Sequence, residues 1–271
     1  MLNKIHTGPL TSEFGQVSQL FREISLEFFL NHVPAGAHVL DCGCGDGAVS
    51  IPLAEKGCQV DALDRDQSRL ENVKQRAGNL PVQIHFADVL SAPFPQSTFD
   101  YVISRQLLPS FPNWRDVLRH QVSLCKVGGA VIMHHRSEDN AALCEQLART
   151  TDKCLLVRRG YTKRYTASVS DLERFCIEQN CELETLTPLS FFTPRAALWR
   201  ISLNKEEREE YRSQLEKRMR VPEVFEFMSW FESRIVAKAP ASLSDGFLAV
   251  LRRSEVSRGN LKRRIRSWIS G

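Results

Sequence analysis

The apolar positions of the chain recur with two different periods. From Phe14 to Leu30, Val17, Leu20, Phe21, Ile24 and Phe28 return every three or four residues, which predicts a helix with one buried face. Beyond it, "HVLDC" (38–42), "QVDALD" (59–64), "VQIHFADV" (82–89), "FDYVISR" (99–105) and, after a turn at Gly128 and Gly129, "GGAVIMHHR" (128–136) read as five buried strands. Helical runs separate them: Ala48 to Lys56, a polar amphipathic stretch through Leu70 and Val73, and Trp114 to Cys125. Strands alternating with helices predict an α/β fold, a doubly wound and mostly parallel seven-stranded sheet with helices on both faces.

The pattern changes after Arg136. In "SVSDLERFCIEQN", Ser170 with Glu173 three residues on predicts a capping box, followed by Leu172, Phe175 and Cys176 on one face. A sixth strand is expected at Leu183 to Phe192. Residues 194–238 read as helical, with Tyr211, Leu215 and Met219 four apart, and Pro222 opening a run whose Val224, Met228, Phe231 and Ile235 share a face. "SDGFLAVLRR" supplies the last strand. The expected organisation is a helical cap (1–35), a core (36–193), an inserted helical lid (194–240), the last core strand (241–253) and a tail (254–271).

Composition adds bounds. The 271 residues, 42% hydrophobic and 25% charged, suffice for a full core in one large domain, or one domain and a lid. No early stretch has the form of a secretion signal and no run of about 18 apolar residues occurs, so a cytoplasmic protein is expected. Eight cysteines without a C-x-x-C read as reduced, mostly buried thiols, and Cys42-x-Cys44 lacks a second pair to complete a metal site. From Leu251 onward seven basic residues face one acid, so the tail holds +6 and the rest of the chain −2 of the net +4. A nearly neutral body offers no broad footprint for duplex nucleic acid.

The candidate chemistry sits in "VLDCGCGDG". Glycine in a strand-to-helix turn allows positive φ and a close main-chain approach to a ligand, so Gly43, Gly45 and Gly47 carry the signal rather than the cysteines between them. Asp64, about 20 residues on and at the end of the next strand, suits a carboxylate that accepts from a ribose diol. Nicotinamide and flavin enzymes fit this much equally well.

Together with "DALD", "ADV", "FDYVIS" and "KVGGAVIM", the loop resembles that of the class I (Rossmann-like) S-adenosylmethionine-dependent methyltransferases over residues 39–136. Their acid-x-G-x-G-x-G matches at every position, whereas the dinucleotide loop needs glycine where Ala48 stands. The resemblance implies S-adenosyl-L-methionine as cofactor. Asp41, Gly43 and Gly45 would line its methionine part, Asp64 would hold both ribose hydroxyls with Arg65 beside it, and Asp88 would accept from the adenine amino group while the Val89 amide meets a ring nitrogen. Ser104 and Arg105 would border the sulfonium. For Asp88 a plain helix cap is an equal reading.

Many small-molecule relatives carry histidine after the fourth strand; here Pro109 and Ser110 stand in that segment. His134 and His135, ending the fifth strand, are the alternative bases, against both being structural or merely exposed at a strand end; they face opposite sides of the sheet, and of the two His135 is preferred. "VRRGYTKRY" offers Arg158, Tyr161, Arg164 and Tyr165 as a surface for an anionic or sugar acceptor, against a plain solvated loop. In the tail, Leu261, Ile265, Trp268 and Ile269 share a helical face among basic residues, a pattern able to lie on an anionic membrane or dock a protein, against a frayed terminus. The expected activity is O-methylation of a small-molecule or glycan-type acceptor. Small-molecule N-methylation and a non-catalytic cofactor-binding subunit are the alternatives. No Asn/Asp-Pro-Pro-aromatic signature follows the fourth strand, which speaks against nucleic-acid methylation.

Overall fold

The computed structural model describes residues 15–137, 165–189, 205–241, 244 and 246–255. In chain order these form α1 (Gln16–His32), β1 (His38–Cys42), α2 (Ser50–Glu55), β2 (Gln59–Asp64), α3 (Gln67–Ala77), β3 (Val82–Phe86), β4 (Phe99–Ser104), α4 (Trp114–Leu124), β5 (Cys125–Arg136), α5 (Val169–Glu178), β6 (Cys181–Leu189), α6 (Lys205–Met219), α7 (Pro222–Arg234) and β7 (Gly246–Arg253). The strands make one seven-stranded sheet in the order β3-β2-β1-β4-β5-β7-β6. Only β7 runs against its neighbours, inserted between β5 and β6. Because β1 and β4 are adjacent and the chain leaves them toward opposite edges, their carboxyl ends border the crevice where open α/β sheets bind ligands.

Alternation along the strands sorts the core into two layers. Val39, Ile103, Ala130, Ile132 and Leu248 pack with Leu26 and Phe29 of α1, with Val33 just after it, and with Leu53 of α2. Leu40, Val102, Val131, Met133 and Phe247 pack on the other face with Val117 and Leu118 of α4 and Phe175 of α5. On that second face the rings of His38 and His85 each bond one oxygen of Asp61, at 2.6 and 2.5 Å, tying β1, β2 and β3 together. Leu20 of α1 and Met219 of α6 are buried against each other with Leu215, Phe225 and Met228 around them, so the two helices that follow β6 rest on the N-terminal helix.

Several element boundaries differ from expectation; the third strand, for one, stops at Phe86 rather than Val89, where a turn capped by Asp88 begins. The N-cap of α5 is Ser168 rather than Ser170: its hydroxyl accepts from Asp171 N at 3.0 Å and the Asp171 carboxylate reaches back to the Ser168 amide. The same S-x-x-acid pattern occurs two residues earlier with Asp in place of Glu, and there the serine backbone is extended, as a cap requires. The sixth strand begins at Cys181, because Asn180 takes a left-handed conformation (φ 53°) that ends α5 and turns the chain directly into the sheet. The fifth strand extends back through the expected turn to Cys125. Residues 190–204 and the helix expected around Leu261 to Ile269 lie outside the described residues.

Candidate functional site

At the end of β1 the chain bends through Gly43, Gly45 and Gly47, whose φ values are +69°, +56° and +74°. The amides of Gly43 and Cys44 both donate to Leu63 O, at 2.8 and 3.0 Å. Gly45 N donates to Asp64 Oδ2 at 2.8 Å, while Asp64 Oδ1 accepts from Asp66 N at 3.0 Å. The loop is thereby stitched to the end of β2, and the Asp64 carboxylate is held by two main-chain donors. A carboxylate oxygen accepts two hydrogen bonds, so each Asp64 oxygen retains one acceptor direction, the arrangement a vicinal diol requires. A Cβ at Gly43 would stand 2.8 Å from Leu107 Cδ1, the movable end of that side chain, and it is the left-handed φ of +69° that favours glycine here.

Asp41 is 2% exposed and accepts from Ser50 Oγ at 2.6 Å. Burial pushes its carboxyl up to about 6, against the Ser50 hydroxyl and the Arg105 charge, which lower it. The adjoining thiols of Cys42 and Cys44 are buried and held well above their ordinary range by that burial, which makes them inert filling between the glycines.

The edge of the sheet continues the site. Ser104 pairs with Met133, so the next residues along β4 and β5, Arg105 and His134, stand side by side on the face shared with Asp41 and α1. Arg105 is half-buried; burial lowers its pKa, as does the neighbouring Arg22 of α1, while Asp41 opposes them. The Nε2 of His134 would lie 3.0 Å from a Cβ at Gly246, so the missing side chain in β7 leaves space for this ring. Burial and the charge of Arg105 drive His134 down to about 3, and among the described residues its buried Nδ1 has no hydrogen-bond partner.

Two expectations are corrected here. His135, the preferred base, faces the opposite layer and is 0% exposed, edge-on to Trp114 at 4.9 Å and stacked on Phe247 at 6.0 Å. Burial lowers it to about 4. The two-residue period of β5 sends it away from the Asp41 face, so it is a core residue and not a base. Ser104 also turns from the cleft: its hydroxyl is fully buried and donates to Gln121 Oε1 on α4 at 3.3 Å, leaving only its main chain at the edge.

Asp88 caps the short turn Val89–Ser91, accepting from Leu90 N at 2.9 Å, and Val89 is buried behind it. Arg65 is exposed beside Asp64. Tyr165 comes to the segment after β4, its amide donating to Pro109 O at 2.9 Å; Arg158, Tyr161 and Arg164 lie outside the described residues. Sequence reasoning missed Arg22, which is one polar position on an amphipathic helix, and Gln106, whose φ of 58° is left-handed for a non-glycine residue directly after β4. Neither has a motif signature. The pairing of Arg105 with His134 was readable only by extending the β4–β5 register.

Residues 39–129 match the family model described as a methyltransferase domain. An uncharacterised methyltransferase of Mycobacterium tuberculosis is 35% identical over 100 residues, 36% of this chain and 51% of that protein. A ubiquinone biosynthesis O-methyltransferase of Azoarcus sp. is 26% identical over 163 residues, 58% of this chain and 69% of that protein. The chain thus spans about half the length of the first of these relatives. Among solved structures, a candidate S-adenosylmethionine-dependent methyltransferase from Listeria monocytogenes superposes with a TM-score of 0.58 at 14% identity, covering 88% of this chain and all of that one. This last likeness shows the fold. Among the described residues no helix is long and apolar enough to cross a membrane.

Proposed function

We propose, from the premise that residues 39–129 are a methyltransferase domain in a class I, Rossmann-like and S-adenosylmethionine-dependent type of fold, that the chain transfers a methyl group to an oxygen of a small molecule. The carrying observation is the Asp64 carboxylate, oriented by Gly45 N and Asp66 N so that one acceptor direction on each oxygen stays available for the ribose diol. When bound, S-adenosyl-L-methionine supplies an electrophilic methyl group on a sulfonium. Asp64 holds the sugar, the turn at Asp88 and Val89 borders the base, and the glycine loop with Asp41 flanks the methionine part. Asp41 adds negative potential in a low-dielectric setting where a cation is attracted. Methyl transfer is an in-line displacement, so the residues accelerate it mainly by positioning the two reactants. The Azoarcus relative, an O-methyltransferase by name, supports oxygen as the acceptor atom.

The experiment is release of S-adenosylhomocysteine by the purified chain on a panel of phenols, carboxylic acids, sugar phosphates and hydroxylated glycans, with amines as the contrasting set. Product from an oxygen acceptor supports the reading. Turnover of amines alone moves it to N-methylation, and cofactor binding with no turnover on any panel leaves a non-catalytic binding subunit.

A further inference from the structure

Beside the cofactor residues lies a charge arrangement that the proposed reaction leaves unused. Arg105 stands at the carboxyl edge of the sheet with Asp41 on one side and His134 on the other. Among the described residues no carboxylate, carbonyl or hydroxyl accepts a hydrogen bond from its guanidinium; Asp41 acts on it only through charge. A second guanidinium, Arg22, adds like charge from α1. His134 presents a buried Nδ1 that has no partner among the described residues, and burial keeps its ring neutral. Asp41 is already engaged with Ser50 at 2.6 Å, so it does not satisfy the five donors of Arg105. The guanidinium donors of Arg105 are therefore open to a ligand, and the planar fork matches a carboxylate, which it binds with charge-assisted hydrogen bonds.

Chemistry at the same edge selects among anions. The segment after β4 holds Pro109 and Ser110, His135 is stacked in the core, and His134 is driven down to about 3, which makes it a feeble proton acceptor. Neither histidine at this edge is suited to remove a proton from an alcohol or phenol near neutral pH, and the Asp41 carboxylate is taken up by Ser50 Oγ at 2.6 Å. An acceptor that arrives ionised needs no such group.

We infer that the acceptor is a carboxylic acid, bound as its carboxylate by the Arg105 guanidinium beside His134, and that the product is a methyl ester. This rests on the proposed methyl-transfer function. One carboxylate oxygen stays on Arg105 while the other forms the new O–C bond as the methyl C–S bond breaks. The bonding pair stays on sulfur, the sulfonium becomes a neutral thioether, the carboxylate becomes a neutral ester, and no proton moves. Loss of the negative charge weakens the hold of Arg105 on the product and favours its release.

The test uses the full chain, wild type and Arg105→Gln, with Arg105→Lys retaining charge without the fork. Benzoate, octanoate and decanoate, each beside its primary amide, are titrated into the S-adenosylhomocysteine complex by calorimetry. Turnover with methyl-tritiated cofactor is read as base-labile volatile methanol, the signature of an ester. The expected result is binding of at least one acid and of no amide by the wild type, at least tenfold weaker acid binding by Arg105→Gln, an intermediate Arg105→Lys, and base-labile label. S-adenosylhomocysteine affinity should move less than threefold in both variants. If the wild-type complex takes no carboxylate, or turns over neutral acceptors equally well in Arg105→Gln, the inference is wrong. It is also wrong if Arg105→Gln weakens S-adenosylhomocysteine as much as it weakens the acid, for the guanidinium then serves the methionine carboxylate. In those cases the methyltransferase reading stands. It fails separately, if the wild type does not bind S-adenosylhomocysteine at all.

Discussion

Asp41 carries a cost that its replacement by asparagine should expose. The carboxyl is buried, with its pKa raised from 3.8 to about 6 by that burial despite the Ser50 hydrogen bond. Each pKa unit corresponds to about 1.4 kcal/mol, so ionising Asp41 in the folded protein removes about 3 kcal/mol of stability. The folded state holds this proton more tightly than the unfolded chain does. The contribution of this proton to stability therefore falls as pH rises from about 4 through 6, is gone by pH 7, and is recovered only in acid. Asparagine keeps an oxygen for Ser50 Oγ and has no charge to bury. Asp41→Asn should be more stable than the parent above pH 7, by about 5 to 10 °C in Tm for a chain of this size, and should approach it near pH 4. The same variant should lose methyl transfer, because the charge flanking the sulfonium is gone. Thermal unfolding of both proteins at half-unit steps from pH 4 to 8 checks this. A gap between them that does not change with pH would refute the reasoning.

Gly43→Ala places a Cβ 2.8 Å from Leu107 Cδ1 at φ +69°, and should cost about 1–3 kcal/mol of stability with a marked loss of S-adenosylhomocysteine binding, read by chemical denaturation and calorimetry. His135→Phe refills the stack between Trp114 and Phe247; turnover should stay within threefold. Because His135 is lowered to about 4, the parent loses stability as pH falls from 6.5 through 4, by about 3 kcal/mol from this residue, and the variant should be spared that part. Ser168→Ala should cost about 1 kcal/mol through the lost cap of α5, whereas Ser170→Ala should cost no more than about 0.5 kcal/mol in urea unfolding.

The strands that carry the site were legible in the sequence because they are short, apolar and separated by polar helices, a contrast of period that survives without tertiary information. Gly43, Gly45 and Asp64 were legible for a related reason: a strand–glycine–helix turn with an acid at the next strand end is local chemistry, and their hydrogen bonds are made within some 20 residues. The acceptor side was not. Whether His134 or His135 meets the cleft depends on which face of β5 lies toward α1, a fact fixed by strand pairing with β4 and β7. Two capping patterns in overlapping frames, Ser168 with Asp171 and Ser170 with Glu173, have the same local signature, and the extended backbone at Ser168 marks the one that is used. Arg22 and Arg105 are brought together across more than 80 positions by the packing of α1 on the sheet, which no spacing rule reports.

The central claim is that the Asp64 carboxylate, held by Gly45 N and Asp66 N, grips the sugar of a sulfonium nucleoside. Calorimetric titration of S-adenosylhomocysteine into the parent and into Asp64→Asn tests it most directly, because the amide NH2 must oppose one of those two main-chain donors and the charge is lost. Losing charge-assisted bonds of about 1.5–3 kcal/mol each predicts saturable binding to the parent and at least tenfold weaker binding to the variant. Equal affinities in two folded proteins, or no heat with the parent, would contradict it.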